Sequence, residues 1–421
     1  MKKILILGGI FLHRKLVIAA HELGYQTIVI DNIPNSPAKS ISDENYEINV
    51  TEIDKIVNLC KKKNVSAVIT GYIDFCQRYY QEICSRLNLP CYGTYEQFQI
   101  LTNKEKFKAF CNSHNVDTIP AYRPEDFSAE SNTKVEYPVY VKPSYSRGSR
   151  GQSVCFNREE TKKAIQKASD VSNDNKALIE KYLGENDNFQ VTYFVVNGTP
   201  HLLRTADQYQ GSKELGLEKL CLAAVSPSKH TDLYIQNVHP RVIQMIQNLG
   251  IKNGPVFMQG FIDRDTIRFY DPGLRFPGTE YSVVLKKHMG IDTAKALIEF
   301  ATTGHCQSIA EQLNEKTVFL NGKVIVNIFP TLNPGEISFI TNPKDILDIT
   351  GVENITYRHS IGERINATGD VNQRIAEINL LVSSKQELIC ATEKIYRKLR
   401  VLDNQGHNLI NNEFDPHQVQ I

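Results

Sequence analysis

A lysine at the end of an apolar strand, with a run of small and basic residues behind it, is the stretch of this chain best suited to chemistry. It reads Val139-Tyr140-Val141-Lys142-Pro143-Ser144, then Tyr145-Ser146-Arg147-Gly148-Ser149-Arg150-Gly151. The strand holds one positive charge at a fixed place. Backbone N–H groups in such a loop can turn inward around phosphate oxygens, and glycine permits the close approach. Alone, the loop reads equally well as a surface hairpin with solvated arginines. Three other segments supply context. Ala177-Leu178-Ile179-Glu180-Lys181-Tyr182-Leu183-Gly184 ends a strand in an acid and continues as an extended hinge, which can read adenine through its backbone. Asn103-Lys104 opens a helix and offers a second lysine for phosphates. Phe269-Tyr270-Asp271-Pro272-Gly273-Leu274-Arg275 sets a carboxylate at a strand end with an arginine four residues on.

The elements that must position these residues follow from hydrophobic periodicity. Strand signals at 3–7, 27–30 and 65–69 alternate with helical patterns over 13–23, 52–63 and about 74–87. That alternation implies a parallel sheet with helices on both faces, an α/β domain over about 1–95. A polar helix is expected over roughly 102–114, capped by Thr102 with Glu105 three residues on. After Pro120 and Pro124 an acidic, Ser-rich stretch reads as a surface connection. Strand patterns then dominate, at 139–141, 153–156, 177–180 and 189–196, where Asn197-Gly198 turns the chain into 201–204, and again at 256–262 and 266–270. Helices at 159–169 and 239–248 interleave with them, so this region is α+β. Residues 323–328 read as a strand, 373–377 as a turn or strand edge, and 385–399 as a helix.

The order Asn-Lys, strand-Lys-Pro with a Gly-rich loop, Glu-Lys-Tyr-Leu, and a strand ending acid-x-x-x-Arg resembles the ATP-grasp superfamily. Carboxylate-amine ligases, biotin carboxylase-like and carbamoyl-phosphate-synthase-like proteins belong to that group. The tail, Gly362-Glu363-Arg364 through Thr368-Gly369-Asp370-Val371 to Arg374, is similar to the closing segment of such enzymes. The resemblance implies a pre-ATP-grasp domain over 1–95 and a two-lobed ATP-grasp domain over 96–330, with its lid at about 130–190. Residues 331–421 would complete the ligase. It further implies ATP with Mg2+ or Mn2+ as cofactors, and an acyl phosphate made from a small carboxylic acid and passed to an amine. By the same resemblance Lys104 and Lys142 contact phosphates, and Ser146, Arg147, Gly148, Ser149 and Gly151 close over them. Glu180, Lys181, Tyr182 and Leu183 hold adenine, and Asp187 or Asn188 holds the ribose. Asp271 binds the metal, and Arg275, with Lys142, serves catalysis. One departure stands out. The family ending Glu-x-Asn-x-Arg is Asp271-x-Gly273-x-Arg275 here, and the family's other metal acid falls on Gln259. Asp263 and Asp265 are possible substitutes, with a role in the hairpin turn as the competing reading. Asp207 with Tyr209, and Glu280 with Tyr281, are polar candidates for the acceptor pocket.

Composition narrows the rest. The 421 residues carry 48 Lys plus Arg against 47 Asp plus Glu, a net charge of +1, which gives no general pull toward nucleic acid or a membrane surface. No stretch has the length of a membrane span, and the apolar run at 4–7 breaks at Gly8-Gly9, too short for a signal sequence. A cytoplasmic protein is therefore expected, with a homodimer left open. The nine cysteines are scattered without a Cys-x-x-Cys, as reduced packing thiols would be. There is no Gly-x-Gly-x-x-Gly for a dinucleotide and no paired-histidine zinc motif. The thinned metal site keeps a second reading open, an ATP-binding sensor or assembly partner with a degenerate centre.

Overall fold

Strands Lys3–Leu7 (β1), Gln26–Ile30 (β2), Glu44–Tyr46 (β3) and Val65–Ile69 (β4) pair only in parallel, in the order β3-β2-β1-β4. Parallel neighbours need crossovers. These include Arg14–Glu22 (α1) and Ile53–Lys63 (α2), and Asp74–Leu87 (α3) follows β4. The short polar strand β3 carries no apolar pattern, and periodicity does not reveal it. This computed structural model describes residues 2–421 except 129–130, 144–150, 173, 185–186, 213–214, 216, 218–219, 315, 367–368 and 370.

The single helix expected over 102–114 is two helices, Tyr95–Thr102 (α4) and Lys104–Asn112 (α5). Thr102 does not cap α5. Its hydroxyl donates back to the Phe98 carbonyl at 2.6 Å, within α4. The cap is Asn103, whose side-chain oxygen accepts from the N–H groups of Glu105 and Lys106, both at 3.0 Å. This break makes Lys104 the first residue of α5.

A four-stranded sheet follows, Ala121–Tyr122 (β5), Val139–Pro143 (β6), Ser153–Cys155 (β7) and Ala177–Lys181 (β8), in the order β5-β8-β6-β7. Helix Arg158–Val171 (α6) covers it, and Val139, Val141, Ile179, Ala164 and Ala168 form their shared core.

The largest sheet has eight strands. They are Asn188–Val196 (β9), Thr199–Gln210 (β10), Cys221–Ser226 (β11), Gly254–Asp263 (β12), Thr266–Gly273 (β13), Val324–Ile328 (β14), Val352–Tyr357 (β15) and Ala376–Val382 (β16). Their order is β13-β12-β9-β10-β11-β14-β16-β15. The β9–β10 turn is the expected one, with φ of 50° at Asn197 and 83° at Gly198. The segment expected as a turn or edge at 373–377 ends instead in β16, which lies between β14 and β15. Glu377 and Asn379 hide that strand from a hydrophobicity reading. They are buried, and hydrogen bonds satisfy them within the sheet. Three strands from the C-terminal hundred residues thus complete a sheet begun near residue 188. Among the described residues no helix is long and apolar enough to cross a membrane.

Strand alternation divides this sheet chemically. Asp271, Gln259 and Gln190 are direct cross-strand neighbours, so their side chains share one face. Asn327, Asn379 and Asn354 continue that face toward β15. Asp207 points to the other face, where it accepts from Ser228 Oγ at 2.5 Å and the Lys229 N–H at 2.9 Å.

Asn103→Ala should cost about 1 kcal/mol and lower the melting temperature by about 2–4 °C. Thr102→Ala should stay within about 0.5 kcal/mol. Thermal unfolding of both variants by circular dichroism checks the assignment of the cap.

Candidate active site

Helix α5 joins the two sheets. Residues four apart share a helical face, and Lys104 and Lys108 are such a pair. Lys108 bonds one oxygen of Glu180 on β8, and Lys142 on β6 bonds the other at 2.7 Å. The strand register makes this possible. Tyr140 lies opposite Glu180, so Lys142, two residues further on, rises from the same face. Burial pushes Glu180 up, but the charges and hydrogen bonds of Lys142 and Lys108 outweigh it and hold the carboxyl below its ordinary value.

The other end of α5 faces Asp271. Burial pushes the Asp271 carboxyl above its ordinary value. Lys104 and Arg275 pull it back, and Asp74 adds repulsion. Arg275 is held by Asp74 on α3, Nε to Oδ2 at 2.6 Å. Its guanidinium lies over the Phe257 ring, 5.1 Å from the centroid. That placement explains the departure at Gly273. A Cβ there would sit 3.0 Å from Arg275 Cγ and 3.1 Å from Asp74 Oδ1. The arginine side chain lies where another residue would project.

Gln259, directly opposite Asp271, donates its amide to Gln208 Oε1 at 3.0 Å, which leaves the amide oxygen available as a neutral ligand. Asp263 does not supplement this pair. It is bonded by Lys181 at 2.7 Å and by Arg268. Asp265 lies in the β12–β13 turn. Among the described residues there is no cluster of three or more His, Cys, Asp or Glu side chains that would hold a metal on its own. One carboxylate beside one amide oxygen suits a hard cation that takes its other ligands from phosphates and water.

In the hinge after β8, the N–H groups of Lys181 and Tyr182 are spent on the carbonyls of Pro120 at 2.9 Å and Pro138 at 2.8 Å. The side chain of Lys181 is spent on Asp263 and Glu136. The Lys181 N–H is therefore not free for a base, whereas the Leu183 N–H has no partner among the described residues. Asp187 is bonded by Lys229 and His230, each at 2.8 Å. Gly151 has φ +76° and lies against Pro143 at the end of β6, 2.9 Å from the position its Cβ would take. Ser146, Arg147, Gly148 and Ser149 lie outside the described residues. Of the acceptor-pocket candidates, Glu280 is buried among Asn354, Thr356 and the Glu377 carboxylate. Tyr209 packs edge-on against Phe414.

The structure thus brings Lys104, Lys142, Glu180, Asp271, Gln259 and Arg275 into one region. Residues 103–257 match the carbamoyl-phosphate synthase L chain ATP binding domain, and residues 1–75 match the ribonucleotide synthetase preATP-grasp domain. The chain belongs to the ATP-grasp superfamily. A formate-dependent phosphoribosylglycinamide formyltransferase of Wolinella succinogenes is 23% identical over 198 residues, 46% of this chain and 51% of that protein. This ATP-grasp chain therefore spans about half the length of that relative. A phosphoribosylglycinamide synthetase from Anaerococcus prevotii shares the fold at a TM-score of 0.77 and 18% identity, over 96% of this chain and 100% of that one. An L-amino acid ligase from Bacillus licheniformis does so at 0.73 and 16%, over 96% and 99%.

Sequence reasoning missed Lys108 and Asp74. Lys108 had a usable signal, its spacing of four from Lys104 on a helix. Asp74 had a weaker one, an acid in the first turn of a helix that follows a parallel strand, where oppositely charged groups from another unit tend to meet it.

Glu180→Gln should lower stability by about 1.5–3 kcal/mol at pH 7. The folded-state pKa of Glu180 is depressed, so its contribution is complete above the unfolded value of about 4.3 and is lost as the pH falls through the lower folded value. Urea unfolding of both proteins between pH 7 and pH 3 should show the difference shrinking toward the acid end. A gap that is constant with pH would contradict the pairing.

Proposed function

We propose that this chain uses ATP to phosphorylate a small carboxylic acid and passes the acyl group to an amine. The observation that carries this reading is α5, which sets one lysine beside the Glu180–Lys142 pair and another beside Asp271. Three ammonium groups and a buried carboxylate, gathered around one short helix, suit a triphosphate with its divalent cation.

In this reading a carboxylate oxygen attacks the γ-phosphorus in line and ADP departs. The amine nitrogen then attacks the acyl carbon, phosphate leaves, and the nitrogen loses a proton. Lys104 and Lys142 bind α- and β-phosphate oxygens and keep their charge in place as the bond breaks. Glu180 orients Lys142 and accepts from the adenine amino group. The hinge reads the base through the Leu183 N–H, and Asp187 accepts from the ribose. Arg275 meets the carboxylate under attack, or the phosphoryl group in transit, with a guanidinium fork suited to either. Asp271 and the Gln259 amide oxygen would hold Mg2+ or Mn2+, which when bound neutralises phosphate charge. The 146–151 loop shuts out water, to which an acyl phosphate is labile. The raised affinity of Asp271 for a proton fits this role, because a buried carboxylate whose desolvation outweighs its two cationic neighbours, Lys104 and Arg275, gains from a further cation. The names of the ligase and the synthetase that share the fold agree with ATP-driven bond formation.

Lys142→Ala and Asp271→Asn should each lower ADP release by about a hundredfold or more. The assay is wild type and variants with ATP, Mg2+ and a panel of acids and amines. Full activity in both variants would refute the site. Tight ATP binding by wild type with no ADP formed across the panel would favour a sensor.

A further inference from the structure

Gly273, Phe257, Thr192 and Arg204 are direct neighbours across β13, β12, β9 and β10. They form one row on the face that carries Asp271 and Gln259. Arg275 covers the Phe257 end. At the other end Tyr281, the first residue of the helix Tyr281–Met289, lays its ring 4.6 Å from the Arg204 guanidinium. The Thr192 and Tyr281 hydroxyls face each other and can share one hydrogen bond, whereas Arg204 Nη2 has no hydrogen-bond partner among the described residues. Thr192, Arg204 and Tyr281 are 0%, 3% and 1% exposed.

Arg204 is the unusual member. A buried guanidinium remains charged, and such groups are normally paired with a carboxylate. Here Nε donates to Ser226 Oγ at 2.8 Å and Nη1 to Gln190 Oε1 at 3.2 Å, both neutral. Among the described residues the carboxylate in its field is Glu377, already bonded by Asn327, Asn379, Arg358 and the Glu280 N–H. A bridging water would satisfy Nη2 but leave the charge uncompensated, whereas a carboxylate would answer both. One guanidinium N–H and one O–H of the hydroxyl pair offer two donors to its two oxygens.

We propose that Arg204, Thr192 and Tyr281 form a subsite for a carboxylate that is not phosphorylated in the reaction. Resting on the ligase reading, it means that the organic substrates together carry two carboxylates, one activated near Arg275 and one retained at Arg204. Strands lie about 4.8 Å apart, so the three steps from β13 to β10 span about 14 Å between backbones. Inward-reaching side chains shorten that to the length of a dicarboxylic acid or an amino acid.

The test uses Arg204→Met, Arg204→Lys and Thr192→Val. The probes are malonate through adipate and the twenty amino acids, each with and without Mg-ATP. Binding is read by thermal shift and calorimetry, and turnover by ADP release. At least one probe should stabilise wild type. Arg204→Met should weaken that probe about tenfold or more, Arg204→Lys should restore part of the affinity, and ATP binding should not change. In turnover KM for the acid should rise more than kcat falls. Equal affinity of the best probe for wild type and Arg204→Met, or no probe binding wild type at all, would overturn the subsite. Should Arg204→Met fail to fold, Thr192→Val decides, with a loss of about threefold or more expected and unchanged affinity counting against the proposal. A probe that binds through Arg204 while no acid supports ADP release would leave the subsite standing and remove the ligase reading. The dicarboxylate and amino acid arms separate the two sources of the carboxylate.

Discussion

Like charges are held near one another at this site, and that electrostatic constraint governs it. Ammonium groups a few ångströms apart repel strongly wherever water is excluded. The chain meets the difficulty with single carboxylates placed between cations. Glu180 takes Lys142 on one oxygen and Lys108 on the other, and Asp74 takes Arg275. Each acid comes from a different packed unit than at least one of its partners, so the same pairs that tame the charge also fix β6 and β8 against α5, and α3 against the end of β13.

The eight-stranded sheet adds a second constraint, from alternation alone. Because neighbours across strands share a face, Asp271, Gln259, Thr192 and Arg204 must all look the same way once the register is set. Asp207, one residue out of phase, falls on the other side and becomes a structural acceptor for Ser228 and Lys229. The Gly273 substitution belongs to the same logic. Arg275 folds back over its own strand, and a side chain at 273 would compete with it for space.

Much of this was legible in the sequence. The parallel opening sheet follows from alternating apolar runs, and the β9–β10 hairpin from Asn197-Gly198. The strand positions of Lys142, Glu180 and Asp271 follow from the motifs that surround them. What the sequence concealed was polar matter in apolar surroundings. The strand β16 carries Glu377 and Asn379 inward, and no hydrophobic pattern announces a strand whose buried residues are satisfied by hydrogen bonds. The split between α4 and α5 was hidden for a related reason, since Thr102 and Asn103 are both good caps and only the tertiary path selects the second. The Lys181 N–H was unreadable as well, because its use by Pro120 depends on a contact between β8 and a segment some sixty residues earlier.

The spacing of Lys104 and Lys108 has a mechanical side. Four residues of helix separate their backbones by about 6 Å, a length that hydrogen bonds make stiff. One end grips β8 through Glu180 and the other lies at the eight-stranded sheet. Any displacement of the four-stranded sheet that keeps hold of Lys108 must therefore carry the near end of the helix with it, and Lys104 moves as the far end of a rigid rod. Such a displacement would then retune the field at Asp271 without any residue of the four-stranded sheet coming near it.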